Sequence, residues 1–279
     1  MINGLAIWHY PHRSLLENIV FFAEQGFSCV SVLGSKMTMV CQDCELSGRI
    51  ASVIKEKQLV LTVHYKLPES HSVEDVKDFK TSVDIMANWQ RNYGKLISVL
   101  SFDVPQGIRD NIMPYIQYVL DYHDFDRVAV EDFGLTEEEK LQIEPLKNNK
   151  RFGFLVDIGH MYIRMRGKNK EGKTLFENSP EECEKKEKPI YNDFIKAFKS
   201  KEFPIFEIHL HNNNGVDDLH YFFDEGTLDM QIIANVLKDL KYDEILTIES
   251  APGFKFECRF PESDERIIKT FEYWKSLLR

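Results

Sequence analysis

Short apolar runs alternate with longer amphipathic stretches along the whole chain. The runs Leu5–Trp8, Cys29–Leu33, Val60–Val63, Leu96–Phe102, Val128–Val130, Phe152–Val156, Ile205–Ile208 and Ile245–Ile248 predict eight strands. Several are rich in Val, Ile and Phe, as strands covered on both faces are. Between them, polar and apolar positions recur at helical spacing. Ser14–Glu24 carries Leu15, Ile19 and Phe22 on one face and ends near Gly26. Ser72–Tyr93 opens with Ser72 three residues before Asp75, a helix-start pattern. Asp43–Lys57, Met113–Tyr122, Thr136–Leu146, Asp193–Phe198, Asp229–Leu240 and Glu265–Leu278 complete eight predicted helices. Eight strand–helix units at this spacing predict a closed (β/α)8 barrel, one domain over residues 1–279. The alternative, an open doubly wound sheet, lacks a GxGxxG or GxxxxGK[ST] segment after an early strand. One connection is oversized. Residues 161–188, between the sixth and seventh strands, are polar and highly charged and are expected to form a loop insertion on the barrel's C-terminal face.

Composition narrows the partners. A formal net charge of −10 argues against a general affinity for nucleic acid or for an anionic membrane, both of which need a positive field. No apolar run approaches the ~20 residues of a membrane-spanning helix. The N-terminus, MINGLAIWHY, does not read as a signal peptide. Five cysteines (Cys29, Cys41, Cys44, Cys183 and Cys258) do not suggest a disulfide framework, and Cys41-Gln-Asp-Cys44 stands as a single CxxC. These features predict a protein of the reducing cytoplasm. A homo-oligomer is compatible with the sequence.

The chemistry concentrates where the strands end. In a barrel, a polar residue just past a strand's C-terminus points into the mouth. Strand five ends in Glu131, strand six in Asp157, strand seven in His209 and strand eight in Glu249. Strand three ends in His64 and strand four in Asp103. Taken singly, each group fits a loop cap or an ion pair. Three carboxylates and an imidazole converging from consecutive strands would instead repel one another and lose hydration. A divalent cation relieves both costs. An O3N ligand set with open positions suits Mn2+, Mg2+, Co2+ or Zn2+ acting as a Lewis acid. His160, three residues past Asp157, reads either as a helix-start residue or as a substrate contact or ligand to a second ion. The stretch IHLHNNNGVDDLH adds Asp218 and His220 beside His209 as a conditional second site, whereas His211 and Asp217 read as loop residues. His9 closes strand one and could line the mouth; His12, His71 and His123 read as surface residues.

The motifs VAVED, VDIGH, IHLHNNNGVDDLHYFFDEGTLD and TIES, in this order across residues 128–249, resemble the xylose isomerase-like barrels, a superfamily of sugar isomerases and epimerases that includes apurinic-site endonucleases. For the ketose 3-epimerase branch, the resemblance implies one divalent ion held by Glu131, Asp157, His209 and Glu249. It also implies that Glu131 and Glu249 serve as acid and base on opposite faces of the substrate, with His160 touching it. For the endonuclease branch, it implies further zinc, with His160, Asp218 and His220 at one site and His64 at another. The sequence departs from the family pattern at Asn212, where Asp is frequent, at Asp103, where the endonucleases carry histidine, and at the end of strand two (VSVLG), which lacks an acid.

The expected function is divalent-metal-dependent isomerisation or epimerisation of a small carbohydrate-like substrate, by proton transfer next to a carbonyl. The alternatives are metal-dependent phosphodiester hydrolysis and a barrel that binds a ligand without turnover. The basic run Arg164–Lys173 reads as a solvated loop or a phosphate contact.

Overall fold

A computed structural model describes residues 1–10, 12–131, 137–165, 191–251 and 261–279. Eight parallel strands close into a barrel in sequence order: β1 (Ile2–Ala6), β2 (Cys29–Leu33), β3 (Val60–Lys66), β4 (Ile97–Asp103), β5 (Val128–Glu131), β6 (Phe152–Asp157), β7 (Ile205–Leu210) and β8 (Ile245–Ile248). The ring closes where β1 pairs with β8, Leu5 lying opposite Ile248. The helices α1 (Leu15–Glu24), α2 (Gly34–Gln42), α3 (Cys44–Glu56), α4 (Val73–Tyr93), α5 (Met113–Tyr122), α6 (Glu137–Ile143), α7 (Ile158–Met165), α8 (Tyr191–Lys199), α9 (Met230–Asp239) and α10 (Pro261–Leu278) connect the strands. The (β/α)8 expectation therefore holds. Within the expected insertion, Met161–Met165 belongs to α7, and the remainder of 161–188 lies outside the described residues.

Local differences have physical causes. The first strand begins at Ile2, not Leu5, because Ile2, Asn3 and Gly4 pair with β8, and pairing rather than apolarity defines a strand. Ile7 and Trp8, read as strand, form a 3-10 turn with His9. Helix α2 has no side-chain cap and only weak periodicity, so the sequence does not announce it; burial of Met37 and Val40 stabilises it. Helix α7 follows β6 without a connecting loop, so the chain leaves the sheet already helical.

Helix starts follow local rules where caps exist. The Ser14 hydroxyl accepts from the Glu17 backbone N–H, and the Glu17 carboxylate accepts in return from the Ser14 backbone N–H, a reciprocal pair that starts α1. Ser72 caps α4 through the Asp75 N–H at 3.1 Å, as the sequence predicts.

The apolar core fills the space between sheet and helices. Inside the barrel, an apolar cluster including Cys29, Val99, Ala129 and Leu155 gives way to fully buried polar groups: Ser31, Thr62, Ser101, Glu207 and Thr247. Beyond these lie the residues of the mouth.

Candidate metal and acid–base centre

Strand alternation delivers the mouth residues. Residues two apart on a strand share a face. Thr62 and His64, Glu207 and His209, and Thr247 followed by Glu249 thus form polar rows rising towards the C-terminal end. Glu131 and Asp157 are the last residues of β5 and β6, and both are buried.

Contacts at the mouth run between carboxylates and imidazoles. Glu131 Oε1 lies 2.9 Å from His160 Nδ1, and its Oε2 lies 3.4 Å from His64 Nε2. Asp157 Oδ1 accepts from the His160 backbone N–H at 2.7 Å, which ties the carboxylate to the first turn of α7. The same oxygen lies 3.1 Å from His211 Nε2, and Asp157 Oδ2 is buried without a hydrogen-bond partner among the described residues. Glu249 Oε2 lies 2.9 Å from His209 Nδ1, and its Oε1 lies 3.9 Å from His220 Nδ1 and 4.0 Å from His9 Nε2. Asp218 bridges His160 Nε2 at 3.0 Å and His220 Nε2 at 3.2 Å.

His211 is the residue that sequence reasoning missed. It follows β7 directly, in a loop as expected, yet it is fully buried beside Asp157. Its ring stacks on His220, with centroids 3.9 Å apart and planes at 8°. Two glycines make room for this arrangement. A Cβ on Gly159 would overlap the His211 ring, and a Cβ on Gly226 would overlap the Asn212 amide. Asn212 explains a departure from the family pattern. Its Nδ2 donates to the Phe223 and Leu228 carbonyls at 2.9 and 3.1 Å, while its Oδ1 accepts from the Asn213 and Leu228 N–H groups. An aspartate could make the accepting half only. The amide fixes the loop that carries Asp218 and His220. The one available signal for His211 was its place two residues after His209.

The hydrogen bonds of the rings reveal where a cation fits. A backbone carbonyl only accepts. His211 Nδ1 faces the Asn212 carbonyl at 3.3 Å, and His220 Nδ1 faces the Glu249 carbonyl at 2.9 Å, so both Nδ1 atoms donate. In the neutral ring, each Nε2 then aims a lone pair at a carboxylate: His211 at Asp157, His220 at Asp218. Lone pair against lone pair is repulsive unless a proton or a metal ion lies between them. A metal-binding histidine held through its other nitrogen by a backbone carbonyl is a common supporting arrangement. His209 differs, because a carboxyl oxygen faces each of its ring nitrogens, Glu249 at 2.9 Å and Glu207 at 3.4 Å.

The expected ligands Glu131, Asp157 and Glu249 do come to the same mouth, each with an imidazole against it. Ligating atoms of Asp157, His211 and Glu249 lie within 4.8 Å of one another, as do those of Glu131, Asp157 and His160. A further compact group joins His160, His211, Asp218 and His220, and another joins His9, His220 and Glu249. Among the described residues, His209, His64 and Asp103 belong to no such group. His64 is held by Ser101 Oγ at 3.1 Å. Two histidines read as surface residues are instead partly buried against carboxylates, His12 beside Asp264 at 3.1 Å and His123 beside Asp84 at 2.9 Å.

Burial and neighbours separate the two glutamates. Burial pushes the Glu131 carboxyl up to about 7, against the pull of His160. Burial also opposes ionisation of Glu249, but His209 and His220 outweigh it and hold that carboxyl well below the usual range. At Asp157, burial is likewise outweighed, by His160 and His211, and the carboxyl sits at about 2. Burial disfavours charge on His220, yet Glu249 and Asp218 raise it to about 9. His9 is driven down to about 3 by burial and by His220.

No family model matches the sequence. An uncharacterized protein of Methanocaldococcus jannaschii is 28% identical over 117 residues, an alignment covering 42% of this chain and 32% of that protein. The chain thus spans about a third of the length of that curated relative. Among solved structures, the barrel is similar to a D-psicose 3-epimerase from Clostridium cellulolyticum H10 crystallised with D-tagatose, with a TM-score of 0.69 and 12% identity over the whole of both chains. It is also similar to a 3-keto-D-glucoside 4-epimerase from E. coli (TM-score 0.63, 15% identity, 99% of each chain). A third is a probable 3-DHS dehydratase from Bacillus anthracis (TM-score 0.64, 15% identity, 99% of each chain). These likenesses show the fold alone: a closed (β/α)8 barrel shared with sugar epimerases of known structure. Among the described residues, no helix is long and apolar enough to cross a membrane.

Proposed function

We propose that this protein is a divalent-metal-dependent isomerase or epimerase acting on a small sugar or a related keto compound. The observation that carries the reading is the pairing of two buried glutamates with opposite tendencies at one barrel mouth: Glu131 raised to about 7, Glu249 held ionised. Carboxyl groups whose pKa values are pushed apart divide acid from base work. Glu249, ionised near neutrality, takes the proton next to the substrate carbonyl. Glu131, poised near neutrality, returns one to the other face. Asp157, His211, Glu131 and Glu249 would hold the ion; His211 replaces His209 in the expected set because its Nε2 is directed at Asp157 while its Nδ1 is anchored. When bound, a divalent ion supplies a Lewis acid for negative charge developing on substrate oxygens. The neutral His9 faces the same mouth and could meet hydroxyl groups of the substrate, and Trp8, lying over His64, offers an apolar wall.

The neighbouring structures act on ketoses and keto-glycosides, as their names state, and this supports a carbohydrate-like substrate. The test is exchange of carbon-bound hydrogen. Protein stripped of metal and reloaded with Mn2+ or Co2+ is incubated with D-psicose, D-tagatose and 3-keto-glucoside in deuterated buffer. Metal-dependent deuterium incorporation, lost in E131Q and E249Q, is expected; no exchange with any of them under any metal would refute the reading.

The group His160, His211, Asp218 and His220 favours a second reading, in which another ion sits beside the first and the reaction is phosphodiester hydrolysis. Metal analysis returning two or more ions per chain, together with cleavage of an abasic duplex, would establish it over the epimerase.

A further inference from the structure

We propose that Asp103, the last residue of β4, is a specificity-determining residue that accepts hydrogen bonds from hydroxyl groups on the substrate chain beyond the reacting carbons. The proposal rests on the reading of the mouth as an isomerase or epimerase site, and it names the chemistry of the substrate's far end: an uncharged tail that bears hydroxyls.

Asp103 ends a row of side chains that face the inside of the barrel. Val99 belongs to the interior apolar cluster, Ser101 is fully buried, and Asp103 follows at the same period of two. The intervening positions face outward. Phe102 and, on β3, Tyr65 both meet the Phe79 ring of α4 edge to face. The two strands run in step, with His64 opposite Ser101 and Lys66 opposite Asp103. In the first pair, His64 Nδ1 lies 3.1 Å from Ser101 Oγ, and His64 Nε2 lies 3.4 Å from Glu131. That pair marks the level of the acid–base residues. The second pair stands two residues nearer the entrance, about 7 Å along the strand.

The carboxylate of Asp103 is set apart from the others at the mouth. Glu131, Asp157, Asp218 and Glu249 each lie against an imidazole. Asp103 is half-buried, and among the described residues its carboxylate makes no hydrogen bond and no ion pair. Lys66 Nζ lies 2.6 Å from Glu69, and both of those side chains are exposed. Burial raises the Asp103 carboxyl above its ordinary range, against the pull of Lys66, His160 and Arg109. Among the described residues, Asp103 belongs to no compact group of ligating atoms, so holding an ion does not account for it. An acceptor of this kind, facing the mouth, gains most from a hydroxyl donor on the bound molecule.

The reach fits a sugar chain. A ketose whose carbonyl lies between Glu131 and Glu249 extends its remaining carbons towards the entrance at about 1.5 Å per bond. Three further carbons, a hydroxyl and one hydrogen bond of about 2.8 Å cover about 7 Å. A six-carbon chain therefore reaches Asp103 and a three-carbon chain does not. A phosphate at the same end would meet a carboxylate of like charge and be disfavoured.

The test compares ketoses of different length on the metal-loaded full chain. Hydrogen exchange next to the carbonyl is followed in deuterated buffer for D-psicose and for dihydroxyacetone, which has the carbonyl but no tail, in the wild type, D103A and D103N. In D103A, the kcat/KM ratio of D-psicose to dihydroxyacetone is expected to fall about tenfold or more, through a higher KM for D-psicose. D103N, whose amide keeps one acceptor oxygen, is expected to lose less, and it carries the test if D103A does not fold. Mn2+ affinity, by calorimetry, is expected to be the same in all three. A ratio unchanged in both variants overturns the proposal. So does a loss of Mn2+ affinity in D103A, which would make Asp103 a ligand, or a wild-type preference for D-psicose 6-phosphate over D-psicose. Failure of the epimerase reading shows differently. If the wild type exchanges no substrate hydrogen, calorimetric binding of D-psicose decides. Binding weakened in D103A to the degree expected above keeps Asp103 as the hydroxyl acceptor without the epimerase reading; binding that is absent, or unchanged in D103A, overturns both.

Discussion

At the scale of single residues, the site is governed by which atoms can donate. His211 and Asn212 illustrate it. The His211 ring is anchored through Nδ1 and presents Nε2, whereas both nitrogens of His209 face carboxyl oxygens. Replacing His211 by Ala should lower Mn2+ affinity at least tenfold, measured by titration calorimetry, with H209N costing less. Asn212→Asp removes two donated hydrogen bonds from a buried loop. The expected loss is on the order of 2–4 kcal/mol from two unmatched carbonyls, read from denaturant midpoints. Glu131 supplies a pH signature. Its carboxyl rises from 4.5 to about 7 in the folded, metal-free protein. The protonated form is thus favoured by folding, so the stability it contributes is complete below pH 4.5 and is lost as pH rises through 7. A shift of this size is worth about 3 kcal/mol. Metal-free E131Q should therefore gain stability over the wild type as pH rises from 4.5 to 8, in parallel thermal melts; a constant difference would contradict the assignment.

Elements carry the residues to their places, and here local rules and tertiary packing divide the work. The start of α1 is set by the reciprocal Ser14–Glu17 pair, which the sequence contains in full. Ser14→Ala should cost about 1 kcal/mol in thermal stability and leave metal affinity unchanged, since the cap lies on the exposed surface. Helix α2 has no such signal; its Met37 and Val40 are buried against neighbours that only the closed barrel supplies. Helix α7 matters most for the site. It begins immediately after β6, and Asp157 accepts from its His160 N–H. A strand end, a helix cap and a candidate ligand are thus one residue. Gly159→Ala should disturb this junction by forcing the His211 ring aside, with weakened metal binding as the expected readout.

At the scale of the molecule, the barrel gathers Glu131, Asp157, Asp218 and Glu249 around one mouth, and the rings between them serve as counter-charges. Such a site is stabilised by whatever cation fits it. Saturating Mn2+ or Co2+ at about 100 times its dissociation constant should add about 2.7 kcal/mol. For a chain of this length, that corresponds to a rise of roughly 5–11 °C in Tm, reversed by a chelator. An unchanged Tm with every divalent ion would refute the metal centre.

The sequence by itself determined the architecture and most of the carboxylates. Eight apolar runs with intervening helical periods specify strands and helices through local spacing. Glu131, Asp157 and Glu249 are legible because a strand end in a closed barrel has one destination. Tertiary structure alone decided which imidazole serves which acid. Alternation with period two fixes the face of Glu207 and His209 while the chain remains in β7, but it does not govern residue 211, where the strand has ended. There, Asn212, Gly159 and Gly226, contributed by the loop and by α7, turn the His211 ring onto Asp157. The contacts of His211 with Asp157 and Gly159 join residues more than fifty positions apart, and no period along the chain records them.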